Sequence, residues 1–137
     1  TLVSTESEFV NRRDDLAYYS KLLNIPKLNY RIDQNCKSFT SICEGQKIVD
    51  LSLIAEENKY MVQNIREQLG ATKVATVLCL PSGSSRQLLT SQINKYRDFQ
   101  PIIAFTKVDE CQLYAREMCV LASKNVKVGF MTGSKTY

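Results

Sequence analysis

The sequence predicts an α/β fold: a mostly parallel sheet of about six strands in three layers, with helices on both faces. Three observations carry this. Short β-rich runs alternate with longer helical patterns along the whole chain. The run Val74-Ala75-Thr76-Val77-Leu78-Cys79-Leu80 is almost continuously apolar, which suits a parallel strand covered on both faces and central in its sheet. The chain has 137 residues and 44% hydrophobic content, a length and composition that fit one domain with one core.

The elements follow in order. Residues 1–4 read as a short strand. Residues 8–23 read as a helix through Phe9, Leu16, Tyr19, Leu22 and Leu23, stopped by Pro26. Leu28, Tyr30 and Ile32 alternate as in a strand, a short helix is expected over 35–43, and Gly45 ends it before a strand over 47–53. Residues 56–69 form an amphipathic helix, with Met61, Ile65 and Leu69 four apart and Gly70 where a C-cap glycine belongs. After the strand over 73–80, Pro81-Ser82-Gly83-Ser84-Ser85 is a turn that supplies a helix N-cap. A helix over 86–99 uses Leu88, Leu89, Ile93 and Tyr96. Strand 101–106, helix 111–123 and strand 126–131 complete the pattern.

Composition removes several function classes. Net charge is +4, from 18 basic and 14 acidic residues, and it is scattered; Arg12-Arg13 is followed at once by Asp14-Asp15. Nucleic-acid surfaces cluster their charge, so no nucleic-acid partner is expected. No tract approaches the roughly 18 apolar residues of a membrane span, and no signal peptide is visible. The chain has no histidine, which excludes Ser-His and Cys-His catalysis. Its five cysteines (Cys36, Cys43, Cys79, Cys111, Cys119) include no Cys-x-x-Cys pair and read as buried or half-buried free thiols in a reducing cytosol.

In α/β folds ligands sit at the carboxyl ends of strands, so the loops there hold the candidate residues. The sharpest motif is Thr106-Lys107-Val108-Asp109, between an apolar strand and a helix. An aspartate at that position can accept hydrogen bonds from N1 and N2 of guanine, a donor pair that adenine lacks. The lysine stem can lie over the purine face with its ammonium in water. The same four residues also suit a polar loop whose aspartate caps the next helix. A Gly-x-x-x-x-Gly-Lys-Ser/Thr phosphate loop is missing from these residues. The chain has five glycines, and the nearest imitation, Pro81 to Ser85, reads as a turn.

On these residues the chain resembles the signal-recognition-particle family of GTPases, and it is similar to a partial G domain spanning residues 1–137. The family's second nucleotide motif is matched in register by Thr5-Glu6-Ser7-Glu8-Phe9 with Asp14-Asp15-Leu16, Tyr19 and Leu22-Leu23. Its third motif falls on Asp50-Leu51-Ser52-Leu53-Ile54, followed by Arg66-Glu67-Gln68-Leu69. Its guanine motif falls on Thr106 to Asp109, and Val128-Gly129-Phe130-Met131-Thr132-Gly133 looks like its closing strand and loop. Glu110 and the Ser82 to Ser85 turn resemble the flagellar-biosynthesis branch, the FlhF type. The resemblance implies a P-loop GTPase-like fold. It implies nucleotide contacts from Thr106, Lys107, Asp109, Thr132 and Gly133, and a magnesium contact from Asp50. GTP or GDP is the implied ligand, with Mg2+ conditional on an upstream phosphate-loop segment. It also implies a role in protein targeting or flagellar placement, pairing with a second copy or a related GTPase domain, and a cytoplasmic location, peripheral to a membrane-associated assembly.

Departures from the family pattern limit the chemistry. Phe9 stands for a phosphate-engaging arginine and Glu6 for an aspartate near the magnesium water. Leu53 stands for a glycine whose amide approaches the γ-phosphate, and Ile54 for an arginine. Phosphoryl transfer depends on such positioning and charge, so this chain is expected not to hydrolyse GTP and no catalytic residue is assigned. Asp50 reads equally as a strand-end cap. The alternative is a diverged pseudo-GTPase that serves as a protein-interaction module. A flavodoxin-like or response-regulator-like domain would need paired acidic residues after Leu2 or Val3, which are absent.

Overall fold

Buried Leu2 and the β-branched, buried Val3 and Thr5 build the first strand of the computed structural model, which describes residues 1–6, 15–31, 45–51, 55–111 and 115–133. The chain divides into two units, Thr1–Val74 and Ala75–Tyr137. The first contains β1 (Leu2–Glu6), α1 (Asp15–Leu23), β2 (Lys27–Arg31), β3 (Ile48–Asp50) and α2 (Ala55–Leu69). The second contains β4 (Val77–Pro81), α3 (Arg86–Tyr96), β5 (Ile102–Thr106), α4 (Ala115–Ser123) and β6 (Val128–Met131). Short 3-10 turns at Ala71–Lys73 and Arg97–Phe99 follow α2 and α3. The expected helix over 35–43 lies outside the described residues.

The α/β class is borne out, and among the described residues every strand pairing is parallel. The single sheet of about six strands is not. Two three-stranded sheets stand in its place, ordered β2-β1-β3 and β4-β5-β6. The three-layer expectation also fails in the second unit. Leu89 and Ile93 of α3, Val120 and Leu121 of α4, and Leu80, Ile103 and Phe105 of the strands form one cluster, so both helices share one face.

In the first unit β1 is central, with Val3 2% exposed and packed with Met61 and Ile65 of α2. The stripe read from the sequence is therefore the buried one, and Leu69 joins it. Gly70 at φ +89° ends the helix as expected, donating to the Arg66 carbonyl at 2.9 Å. α1 ends before Pro26: Asn24 takes φ +51°, and Ile25 donates back to the Ser20 carbonyl at 3.0 Å. Tyr19, Leu22 and Leu23, expected to carry that helix, are exposed.

In the second unit β5 is central and β4 lies at an edge, which corrects the position expected for residues 74–80. Val77 is 45% exposed, whereas Ile103 and Phe105 are 0%. An apolar run can fill an edge strand that is covered on one face only; neighbours, not composition, decide the rest. Ser85 caps α3 as read, accepting the Leu88 N–H at 3.2 Å. Leu89 and Ile93 are buried, and Leu88 faces out.

Gly129 marks a bulge. Ile103 pairs with Val128 and Ala104 with Phe130, so Gly129 is the extra residue. A Cβ there would overlap Ile102 Cγ2. Gly129→Ala is expected to destabilise the second unit by about 1–3 kcal/mol through overpacking. Hydrogen exchange of the β5 amides measures this, and unchanged protection would show that Ile102 yields without cost.

Candidate functional site

Because β4, β5 and β6 run parallel, their carboxyl ends share one edge of the sheet, and the loops leaving them meet there. Thr106 ends β5 and Thr132 follows β6. Thr132 donates its N–H to the Phe105 carbonyl at 2.8 Å, and Val108 donates to the Thr132 carbonyl at 3.2 Å. The Asp109 carboxylate lies against Gly133: a Cβ on Gly133 would stand 2.6 Å from Asp109 Oδ1. Of the residues expected on one rim, Thr106, Lys107, Asp109 and Thr132 therefore sit together, with Gly133 beside them; Asp50, expected on the same rim, belongs to the first unit. Lys107, Asp109, Thr132 and Gly133 are exposed and Thr106 is half-buried, so a ligand can reach them.

Lys107 has an unusual backbone. Among the described residues, four that are not glycine have positive φ: Asn24, Gln100, Lys107 and Asn125. Asn24, Gln100 and Asn125 follow helical segments, where a left-handed residue is the ordinary ending. Lys107, at φ +59°, follows a strand. A left-handed lysine costs roughly 1–2 kcal/mol, so the surrounding bonds must hold it. Its carbonyl accepts the N–H groups of Glu110 and Cys111, each at 3.1 Å, which closes the loop. Its ammonium meets Glu110 at 3.3 Å; both side chains are more than half exposed, so the pair is weak and can open.

The turn after β4 is locked onto this loop. Ser82 N–H donates to the Thr106 carbonyl at 2.8 Å, and its hydroxyl donates to the Cys111 carbonyl at 2.7 Å. Gly83 N–H donates at 2.8 Å to Glu117 Oε1, and the Ser84 hydroxyl donates to the Pro81 carbonyl at 2.6 Å. Glu117 is wholly buried on α4. Sequence reading missed it, although one signal was there. Glu117, Val120 and Leu121 recur at i, i+3 and i+4, so a charge stands in an apolar stripe.

Asp50 belongs to the first unit, at the carboxyl end of β3. Its backbone carbonyl accepts the Thr5 hydroxyl at 2.8 Å, joining the ends of β1 and β3. Phe9, Leu53 and Ile54 lie outside the described residues. Among the described residues, no group of three histidine, cysteine, aspartate or glutamate side chains could hold a metal ion. One carboxylate is a poor donor set for magnesium, and no step is assigned through that ion. Cys79, Cys111 and Cys119 are free, as expected, but exposed rather than buried; Cys36 and Cys43 are outside the described residues. No described helix is long and apolar enough to cross a membrane.

Protein-family models give no match to this chain, and a search of curated proteins gives none. Fold and rim define an α/β protein with an exposed polar loop cluster at the carboxyl ends of parallel strands.

Proposed function

We propose that this chain is part of a guanine-nucleotide-binding domain of the signal-recognition-particle GTPase type, closest to its flagellar-biosynthesis branch. The observation that carries the reading is the seating of Asp109 against Gly133 at the ends of β5 and β6. The carboxylate stands on an exposed rim beside a residue without a side chain, at the carboxyl ends of two parallel strands, where α/β folds take their ligands. Lys107 stands two residues away, with a stem long enough to lie over a purine ring. On this reading Thr132 and Gly133 flank the base, and GTP or GDP is the ligand. Hydrolysis needs phosphate-side groups that these residues do not supply. The role in protein targeting or flagellar placement belongs to the same proposal.

Titration of the full chain with GDP and with ADP tests it. The expected result is a preference for GDP of about tenfold or more, the value of one or two hydrogen bonds to a charged acceptor. Equal binding of the two at millimolar concentration would reduce the Thr106 to Asp109 motif to a helix-capping loop.

A further inference from the structure

We infer that Glu117 and Ser82 are positioning residues, which set the geometry through which the rim tells guanine from adenine. The inference rests on the guanine reading above and names what holds its loop in place.

Glu117 occupies the position in α4 that an apolar side chain would fill, in register with buried Val120 and Leu121. A carboxylate in that place is costly unless it is hydrogen-bonded. Its Oε1 accepts the Gly83 N–H at 2.8 Å, so the helix grips the backbone of the β4–α3 turn. The turn has little room to drift towards the loop. A Cβ on Gly83 would meet Cys111 Cβ and Sγ at 3.1 Å, so the turn backbone lies directly on Cys111. Gly83 also has φ +79°, a conformation that favours glycine.

The residue before it makes the connection. Ser82 donates its N–H to Thr106 and its hydroxyl to Cys111, the two ends of the loop that carries Lys107 and Asp109. Ser82 is 7% exposed, so water competes poorly for these bonds. The path runs from a buried carboxylate to Gly83, through Ser82, to both ends of the base-reading loop. Lys107 holds its left-handed backbone between those two fixed ends.

Methionine at position 117 matches the volume and the apolar stripe but leaves the Gly83 N–H without its acceptor. Glutamine keeps an oxygen acceptor. GDP and ADP titrations of the wild type, Glu117→Met and Glu117→Gln read the effect. Denaturation midpoints and the iodoacetamide labelling rate of Cys111, resolved by peptide mass spectrometry, accompany them. Glu117→Met is expected to lower the GDP-over-ADP ratio about tenfold and to speed Cys111 labelling, with the chain still folded at the temperature of the titration. Glu117→Gln is expected to keep the ratio within about threefold. A folded Glu117→Met chain with the wild-type ratio and wild-type Cys111 labelling overturns the assignment. If that variant does not fold, Ser82→Ala, which removes only the hydroxyl bond, takes the same test with the same opposing outcomes. A wild type that binds GDP and ADP alike sinks the guanine reading instead; the clamp is then judged on Cys111 labelling alone, and an unchanged rate overturns it as well.

Discussion

Replacing Phe105 by alanine is expected to unfold most of the second unit. Phe105 is wholly buried on the central strand β5 and packs in the cluster with Leu80, Leu89, Ile93, Ile103, Val120 and Leu121. Truncation of a buried phenylalanine removes its transfer free energy and leaves a cavity, a cost of about 3–5 kcal/mol. Whole domains are stable by about 5–15 kcal/mol, and a unit spanning residues 75–137 has little surface to spare. Protection of the β5 amides against hydrogen exchange should fall by roughly a hundredfold to several thousandfold, since about 1.4 kcal/mol is a factor of ten. Exchange is the suitable measurement because it reports on this unit separately from the other. Leu88→Ala on the exposed side of α3 is the control, expected to change stability by no more than about 0.5 kcal/mol. Protection in Phe105→Ala equal to that control would mean that the cluster is not the core of the unit.

Asp109→Asn is expected to exchange one base for another. If the carboxylate accepts the N1 and N2 protons of guanine, the amide of asparagine can accept only on its oxygen, and its NH2 group faces a guanine donor. Xanthine carries a carbonyl where guanine carries the amino group, and the same NH2 group can donate to it. Each direction is worth about 1–3 kcal/mol, so the ratio of GDP to xanthosine diphosphate affinity should change by roughly a hundredfold or more. The effect does not require strong phosphate contacts, because both ligands carry the same phosphates. Asparagine has nearly the shape of aspartate, so the substitution changes the hydrogen-bonding pattern with little change in size. Titration of both nucleotides against both chains is the measurement. An unchanged ratio would mean that Asp109 does not touch the base edge.

Much of the local structure was legible from residues close together in the chain. The α/β alternation, the Met61, Ile65 and Leu69 stripe of α2, the glycine ending at Gly70 and the Ser85 cap all rest on interactions within a few residues. The rim was legible for a related reason. Thr106 ends β5, Lys107 to Asp109 follow it and Thr132-Gly133 follow β6, and neighbouring parallel strands bring their carboxyl ends together. Only tertiary pairing decided the rest. Val74 to Leu80 and Ile102 to Phe105 are both apolar runs, and nothing in either says which will acquire a neighbour on each side; β5 does and β4 does not. The division into two sheets depends on the same long-range choice. The bulge at Gly129 exists because β6 must pair with β5 on both sides of it. Glu117 looked like one more helix glutamate until the fold buried it and brought the Gly83 amide, 34 residues away, within hydrogen-bond distance. Local periodicity assigns a residue to an element and a face. Partners distant in sequence are chosen by packing, where many weak contacts compete, and that competition is settled only in the folded chain.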